Sequence, residues 1–194
     1  MAAEKMKPIL FNTDMVRAIL KGKKTVTRRI VKYDPKILES PFHKANPEVS
    51  DIQIISKLCV PPYEINDVLY VRETWSEWTG GYIYKAWLPP FPQPGEYTLT
   101  KWHPSIHMPK EATRIFLKVK DVRVERLQDM LTIDFCNEGI ELYKDDGKTE
   151  KAEIAIEYEF ADLWDSTIKK EQLKVYGWDA NPYVWVIEFE QITI

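Results

Sequence analysis

Proline placement constrains this chain more than any other feature. Of its 13 prolines, Pro35, Pro41, Pro47, Pro61 and Pro62 fall between residues 34 and 64, and Pro89, Pro90, Pro92, Pro94, Pro104 and Pro109 fall between 88 and 112. Proline has no backbone N–H and a fixed φ, and neither window shows much hydrophobic periodicity. Both therefore read as long inserted loops. The first, longer than an ordinary connection, is expected to form a lid or a wall of a pocket.

Regular structure falls to the remaining stretches. Asn12 or Thr13 caps a helix whose Met15, Val16, Ile19 and Leu20 share one face, and Gly22 stands where a left-handed C-terminal residue belongs. Thr25 to Val31 is rich in β-branched residues and predicts a strand. A second strand runs from Val68 to Glu73 into the aromatic block 75–87, with a hairpin turn at Gly80-Gly81. From Arg114 to Leu127, Ile115, Leu117 and Val119 alternate with Lys118 and Lys120, the pattern of a half-buried strand. Residues 130–140 and 151–168 predict helices, the second with Ile154, Tyr158, Ala161 and Trp164 on its inner face. There are no internal repeats. The expectation is one α+β domain over residues 1–194 with a strongly bent or closed sheet.

Composition narrows the function classes. With 194 residues and 44% hydrophobic content the chain can bury one good core. A formal net charge of −3 argues against a surface that binds nucleic acid non-specifically through many phosphates, so nucleic-acid contact is expected to be local. Cys59 and Cys136 are too few for a disulfide framework, and the sequence shows no apolar signal segment and no membrane-length apolar run. A cytoplasmic protein with no membrane partner is expected. His43, His103 and His107 have no accompanying Cys or carboxylates at ligand spacing, which predicts no metal and no cofactor.

Chemistry concentrates in Gly22-Lys23-Lys24-Thr25-Val26-Thr27-Arg28-Arg29. A desolvated Lys beside other cations can act as base toward a Thr hydroxyl, and Arg can hold a phosphate or an electron-rich base edge. Composition alone reads the same stretch as a solvated basic turn. Lys24 and Thr27 are three apart and would face opposite ways on a regular strand, so a shared site requires a turn or bulge near Lys24.

The spacing Gly22-x-Lys24-x-x-Thr27-x-Arg29 resembles the G-x-K-x-x-T-x-R signature of the ASCH domain family, small β-barrels related to the PUA RNA-binding fold. Further blocks agree in order: a strand at Pro8 to Phe11, the helix from Thr13, Asn66-Asp67 before the Val68 strand, Val122 to Leu127 leading to Asn137-Glu138-Gly139-Ile140, and a closing strand from Tyr183 to Phe189. Asn66 replaces the usual Gly, a change that a turn tolerates because Asn also visits positive φ. The resemblance implies a PUA-like β-barrel with flanking helices and long inserted loops. It also implies a metal-independent amidohydrolase that cleaves the amide of N4-acylated cytosine nucleosides, with Thr27 as nucleophile, Lys24 as base and Glu138 as proton shuttle and orienter. Two alternatives stay open: an RNA-binding PUA-like module holding single-stranded RNA or a modified nucleotide, and a ribonuclease in which Lys24 stabilises phosphate charge.

A nucleoside substrate needs aromatic and polar walls. Arg29, Arg72, Glu73, Trp75, Tyr84 and Ser105 are the candidate substrate-binding residues, with the segment from Trp102 to Lys110 as a further wall.

Overall fold

The computed structural model describes residues 6–78, 81–88, 101–141 and 149–194. Strand β1 (Lys7–Leu10) leads into helix α1 (Thr13–Leu20), where the Asn12 side chain accepts from the Met15 N–H at 2.8 Å. Gly22 follows at φ 68, the left-handed residue expected there, and turns the chain into β2 (Val26–Ile30). Asn66 takes φ 74 ahead of β3 (Val68–Arg72), so the Asn performs the turn for which Gly is usual. The hairpin β4 (Trp75–Trp78) and β5 (Gly81–Tyr84) pairs antiparallel, with Gly80 of the expected turn outside the described residues. Strand β6 (Phe116–Arg126) and β7 (Tyr183–Ile192) are the long strands. Between them lie α4 (Thr132–Asn137), α5 (Thr149–Ser166) and the short α6 (Leu173–Tyr176).

The main sheet runs β1-β3-β6-β7-β2, antiparallel except for the β1–β3 pair. Strand β7 lies between β6 and the edge strand β2 and is apolar on both faces from Tyr183 to Ile187. Tyr183, Trp185, Ile187 and Phe189 join one core with α1 and β3, while Val184 and Val186 join a second core with α4 and α5. Among the described residues no ladder closes the sheet into the expected barrel: β1 and β2 are its two edges. Side chains span the gap instead, with Arg29 Nη2 donating to Leu10 O at 3.3 Å.

Two expectations change. The 34–64 window is not merely loop, since it holds α2 (Pro41–Ala45) and α3 (Asp51–Leu58). Ser40 and Ser50 cap these helices, Ser50 in a capping box with Gln53, and Pro41 sits at the first position of α2, where a helix tolerates it. Ile55 is fully buried in the main core, so this insert is part of the framework. The predicted inner face of α5 holds at Trp164, which is buried, but Ile154 and Tyr158 are exposed, and Ile156 and Phe160 complete the buried stripe in their place. Phe160 meets Phe135 and Trp178 edge-on, which fixes the rotation of the helix.

A candidate active site at the sheet edge

The turn required near Lys24 is present. Lys23 and Lys24 both donate their backbone N–H to Ala18 O, at 2.9 and 3.2 Å, so the chain bends off the end of α1 before β2 begins. Lys24 then forms an isolated antiparallel bridge with Glu138, and Thr25 donates to Asn137 O at 2.9 Å. The end of α4 is thereby laid along the otherwise free edge of β2. Gly139 takes φ 97 immediately after Glu138, and a Cβ there would sit 2.7 Å from Ala18 Cβ and 3.2 Å from Lys24 Cβ. Only glycine lets the two segments approach this closely.

Lys24, Thr27 and Glu138 are brought together and buried, at 2%, 1% and 6% exposure. Lys24 Nζ donates to both Glu138 Oε2 and Glu138 O, the latter at 2.9 Å. Burial pushes the Lys24 amine below its ordinary value; the Glu138 carboxylate opposes that shift, and the Arg29 and Arg28 charges add to it. Thr27 Oγ1 accepts from Arg29 Nη1 at 2.9 Å. Among the described residues no direct hydrogen bond joins Lys24 Nζ to Thr27 Oγ1, so the two reach a reacting group from separate positions. Phe11 lies between the cations, with its ring centroid 5.8 Å from Lys24 Nζ and 5.5 Å from Arg29 Cζ.

Arg28, expected only as one of the cations beside Lys24, has a side chain that is 0% exposed. Its Nη1 donates to Glu138 Oε1 at 3.2 Å, while Nη2 lies 3.5 Å from Glu125 and 3.6 Å from Asp134. Glu138 is therefore held on both carboxylate oxygens, by Lys24 and by Arg28. One sequence signal existed: Arg28 falls mid-strand opposite Val186, where a charge must be paired to be tolerated. Thr27, Arg28, Arg29 and Glu138 line a cavity of ≈ 420 Å³, with Leu10 on the β1 side and Tyr63 from the end of the insert. Burial raises the Tyr63 phenol and depresses the Arg29 guanidinium from their ordinary values.

Of the expected substrate-binding residues, Arg29 is at this cavity. The other five are placed elsewhere. Glu73 is 1% exposed and holds Arg114 through two hydrogen bonds, at 2.9 and 3.0 Å. Arg114 in turn lies over the rings of Tyr84 and Trp87, at 4.4 and 4.7 Å. Tyr84 donates its hydroxyl to Ala112 O at 2.6 Å, and Trp75 packs with it in a small separate core. Arg72 donates to Met108 O and Ile106 O, tying down the segment that carries Ser105. These residues anchor the second insert because β3 runs on from the main sheet into the β4–β5 hairpin. Among the described residues no group of three or more His, Cys, Asp or Glu is poised to hold a metal ion, and no helix is long and apolar enough to cross a membrane.

No family model matches the chain, and no curated protein matches it. Its structure is similar to that of an ASCH domain from Lactobacillus crispatus JV V101, at 10% identity and a TM-score of 0.35, over 91% of this chain and 70% of that one.

Proposed function

We propose that residues 1–194 form one ASCH-like, PUA-like domain whose pocket hydrolyses the amide of N4-acylated cytosine nucleosides, releasing cytidine and a carboxylic acid. The observation that carries this reading is the burial of Thr27 and Glu138 on one cavity, with buried Lys24 paired to Glu138 behind it and Arg29 on the Thr27 hydroxyl. Thr27 Oγ1 attacks the amide carbonyl carbon and its proton passes through a bridging water to the Lys24 amine, which desolvation holds toward its neutral form. The Arg29 guanidinium stabilises negative charge on Thr27 Oγ1 as the proton leaves. The C–N bond then breaks with protonation of the departing amine from the Lys24–Glu138 pair, leaving an acyl ester on Thr27. Water, deprotonated by the same pair, hydrolyses that ester and restores the hydroxyl.

The RNA-binding and ribonuclease readings use the same pocket, but its charges favour them less. Arg28 is already matched by Glu138, Glu125 and Asp134, which leaves little free positive charge for a phosphate tract. The test is turnover of N4-acetylcytidine and N4-benzoylcytidine, followed by loss of the acylated-base absorbance, with Lys24→Ala and Thr27→Ala alongside. Thr27→Ala is expected to abolish turnover while retaining nucleoside binding. Wild-type protein that turns over neither substrate refutes the hydrolase reading.

A further inference from the structure

One wall of the cavity takes no part in that chemistry. Phe160, Leu163 and Trp164 from α5, with Ile168 beyond its end, complete the lining that Thr27 and Arg29 begin. The polar atoms of this wall are already committed to backbone. Trp164 Nε1 donates to Tyr176 O at 2.8 Å, and Thr167 Oγ1 donates to Trp164 O at 2.7 Å. A ribose, a phosphate or a base edge set against it would give up water hydrogen bonds without replacement, whereas an alkyl or aryl group would gain from leaving water.

A second cavity of ≈ 620 Å³ adjoins the first and shares Asn12, Met15, Glu138 and Leu163 with it. Its other lining residues include Asp14, Glu141 and Glu159, so that side offers three carboxylates as hydrogen-bond acceptors where the α5 side offers only the Thr167 hydroxyl oxygen. Glu138 stands where the two cavities meet. A substrate with one apolar and one hydroxyl-rich half, joined by the bond to be broken, matches this division.

Building on the hydrolase reading, we propose that the α5 wall is the acyl subsite and that it takes an apolar acyl group of aromatic size, with the cytosine nucleoside leaving through the second cavity. The acyl carbon then reaches Thr27 with its substituent against Trp164 and Ile168. The departing nitrogen lies toward Glu138.

Two measurements test the subsite. The first is kcat/KM for N4-benzoylcytidine against N4-acetylcytidine, for wild type and for Ile168→Asp. Ile168 is half-buried at the wall, so this change places a charge there with less disturbance to the core than a change at Trp164. The expected ratio favours benzoyl by about tenfold or more, and Ile168→Asp lowers it by about tenfold. The second is calorimetric binding of N4-benzylcytidine and N4-methylcytidine, which lack the carbonyl and cannot be hydrolysed as amides. Benzyl is expected to bind about tenfold tighter than methyl, and Ile168→Asp to erase the difference. If benzyl outbinds methyl but neither amide is turned over, the subsite stands and the hydrolase reading falls. A preference for acetyl, or benzyl binding no tighter than methyl, overturns the subsite whatever the turnover; Ile168→Ser, which adds no charge, checks that a lost preference is not a folding defect.

Discussion

Glu138→Gln removes the carboxylate that Lys24 and Arg28 share, and its cost can be bounded from the structure. Deleting one partner of a buried ion pair costs about 3–5 kcal/mol, most of it the penalty of the charge left behind. Arg28 keeps Glu125 and Asp134 nearby, so the stranded charge is that of Lys24, whose side chain is 0% exposed. Lysine has an escape, since it can release its proton. Neutralising an amine with an unfolded-state pKa of about 10.4 costs about 4.6 kcal/mol at pH 7, and this is the ceiling for the charge term. Burial already holds Lys24 below its ordinary value in the wild type, so the observed loss lies under that ceiling. In the variant the unfolded chain binds a proton on Lys24 that the native state lacks, and native stability therefore rises with pH until the unfolded pKa is passed. By pH 9.5 the same ceiling falls to about 1.2 kcal/mol. Urea unfolding of wild type and variant at the two pH values should give a loss of about 3–4.5 kcal/mol at pH 7 and about 1 kcal/mol or less at pH 9.5. An equal loss at both pH values, or one below about 1 kcal/mol at pH 7, would refute the account of Lys24 as a buried cation balanced by Glu138.

Two further substitutions probe the same geometry. Gly139→Ala forces a side chain into a position at φ 97 and 2.7 Å from Ala18 Cβ, so thermal unfolding should show a loss of at least about 2 kcal/mol; an unchanged melting temperature would mean that the α1–α4 approach is not tight. Arg28→Met removes a charge that lowers the Lys24 amine, so that amine rises and the neutral base becomes scarcer at low pH. On the proposed function, kcat/KM should accordingly fall more at pH 6 than at pH 9, and a loss uniform in pH would count against Lys24 as the base.

The parts of the site fixed by local chemistry were readable from sequence. Gly22 and Asn66 announced their left-handed turns, and the spacing around Lys24 demanded a bend that the Ala18 carbonyl supplies. Glu138 was reachable only through the family resemblance, because it lies 114 residues from Lys24 and no periodicity links them. What sequence could not assign was which aromatic and charged residues face a cavity. Glu73, Trp75 and Tyr84 have the right chemistry for a nucleoside wall, yet Arg114 and Ala112 O claim Glu73 and Tyr84, and the small second core claims Trp75. The wall that does face the cavity comes from α5, whose inner stripe was placed on Ile154 and Tyr158 instead of Ile156 and Phe160. The choice depended on Phe135 and Trp178, which are distant in sequence. Arg28 was legible only as one of the cations beside Lys24, because the carboxylates that bury it come from the β6 strand and the α4 end, not from its own strand.

The bridge between Lys24 and Glu138 also bears on how this protein behaves in a crowded solution. Strand β2 is an outer strand, and its unpaired side would be a template for a second chain. The chain covers the start of that side with Asn137 and Glu138, and it turns the charged Arg28 inward next to them. Both are means by which natural sheets keep their margins from joining. The residues proposed to carry out the reaction thus also shield part of the sheet's margin, so substitutions that loosen the pocket are expected to expose a template for association as well.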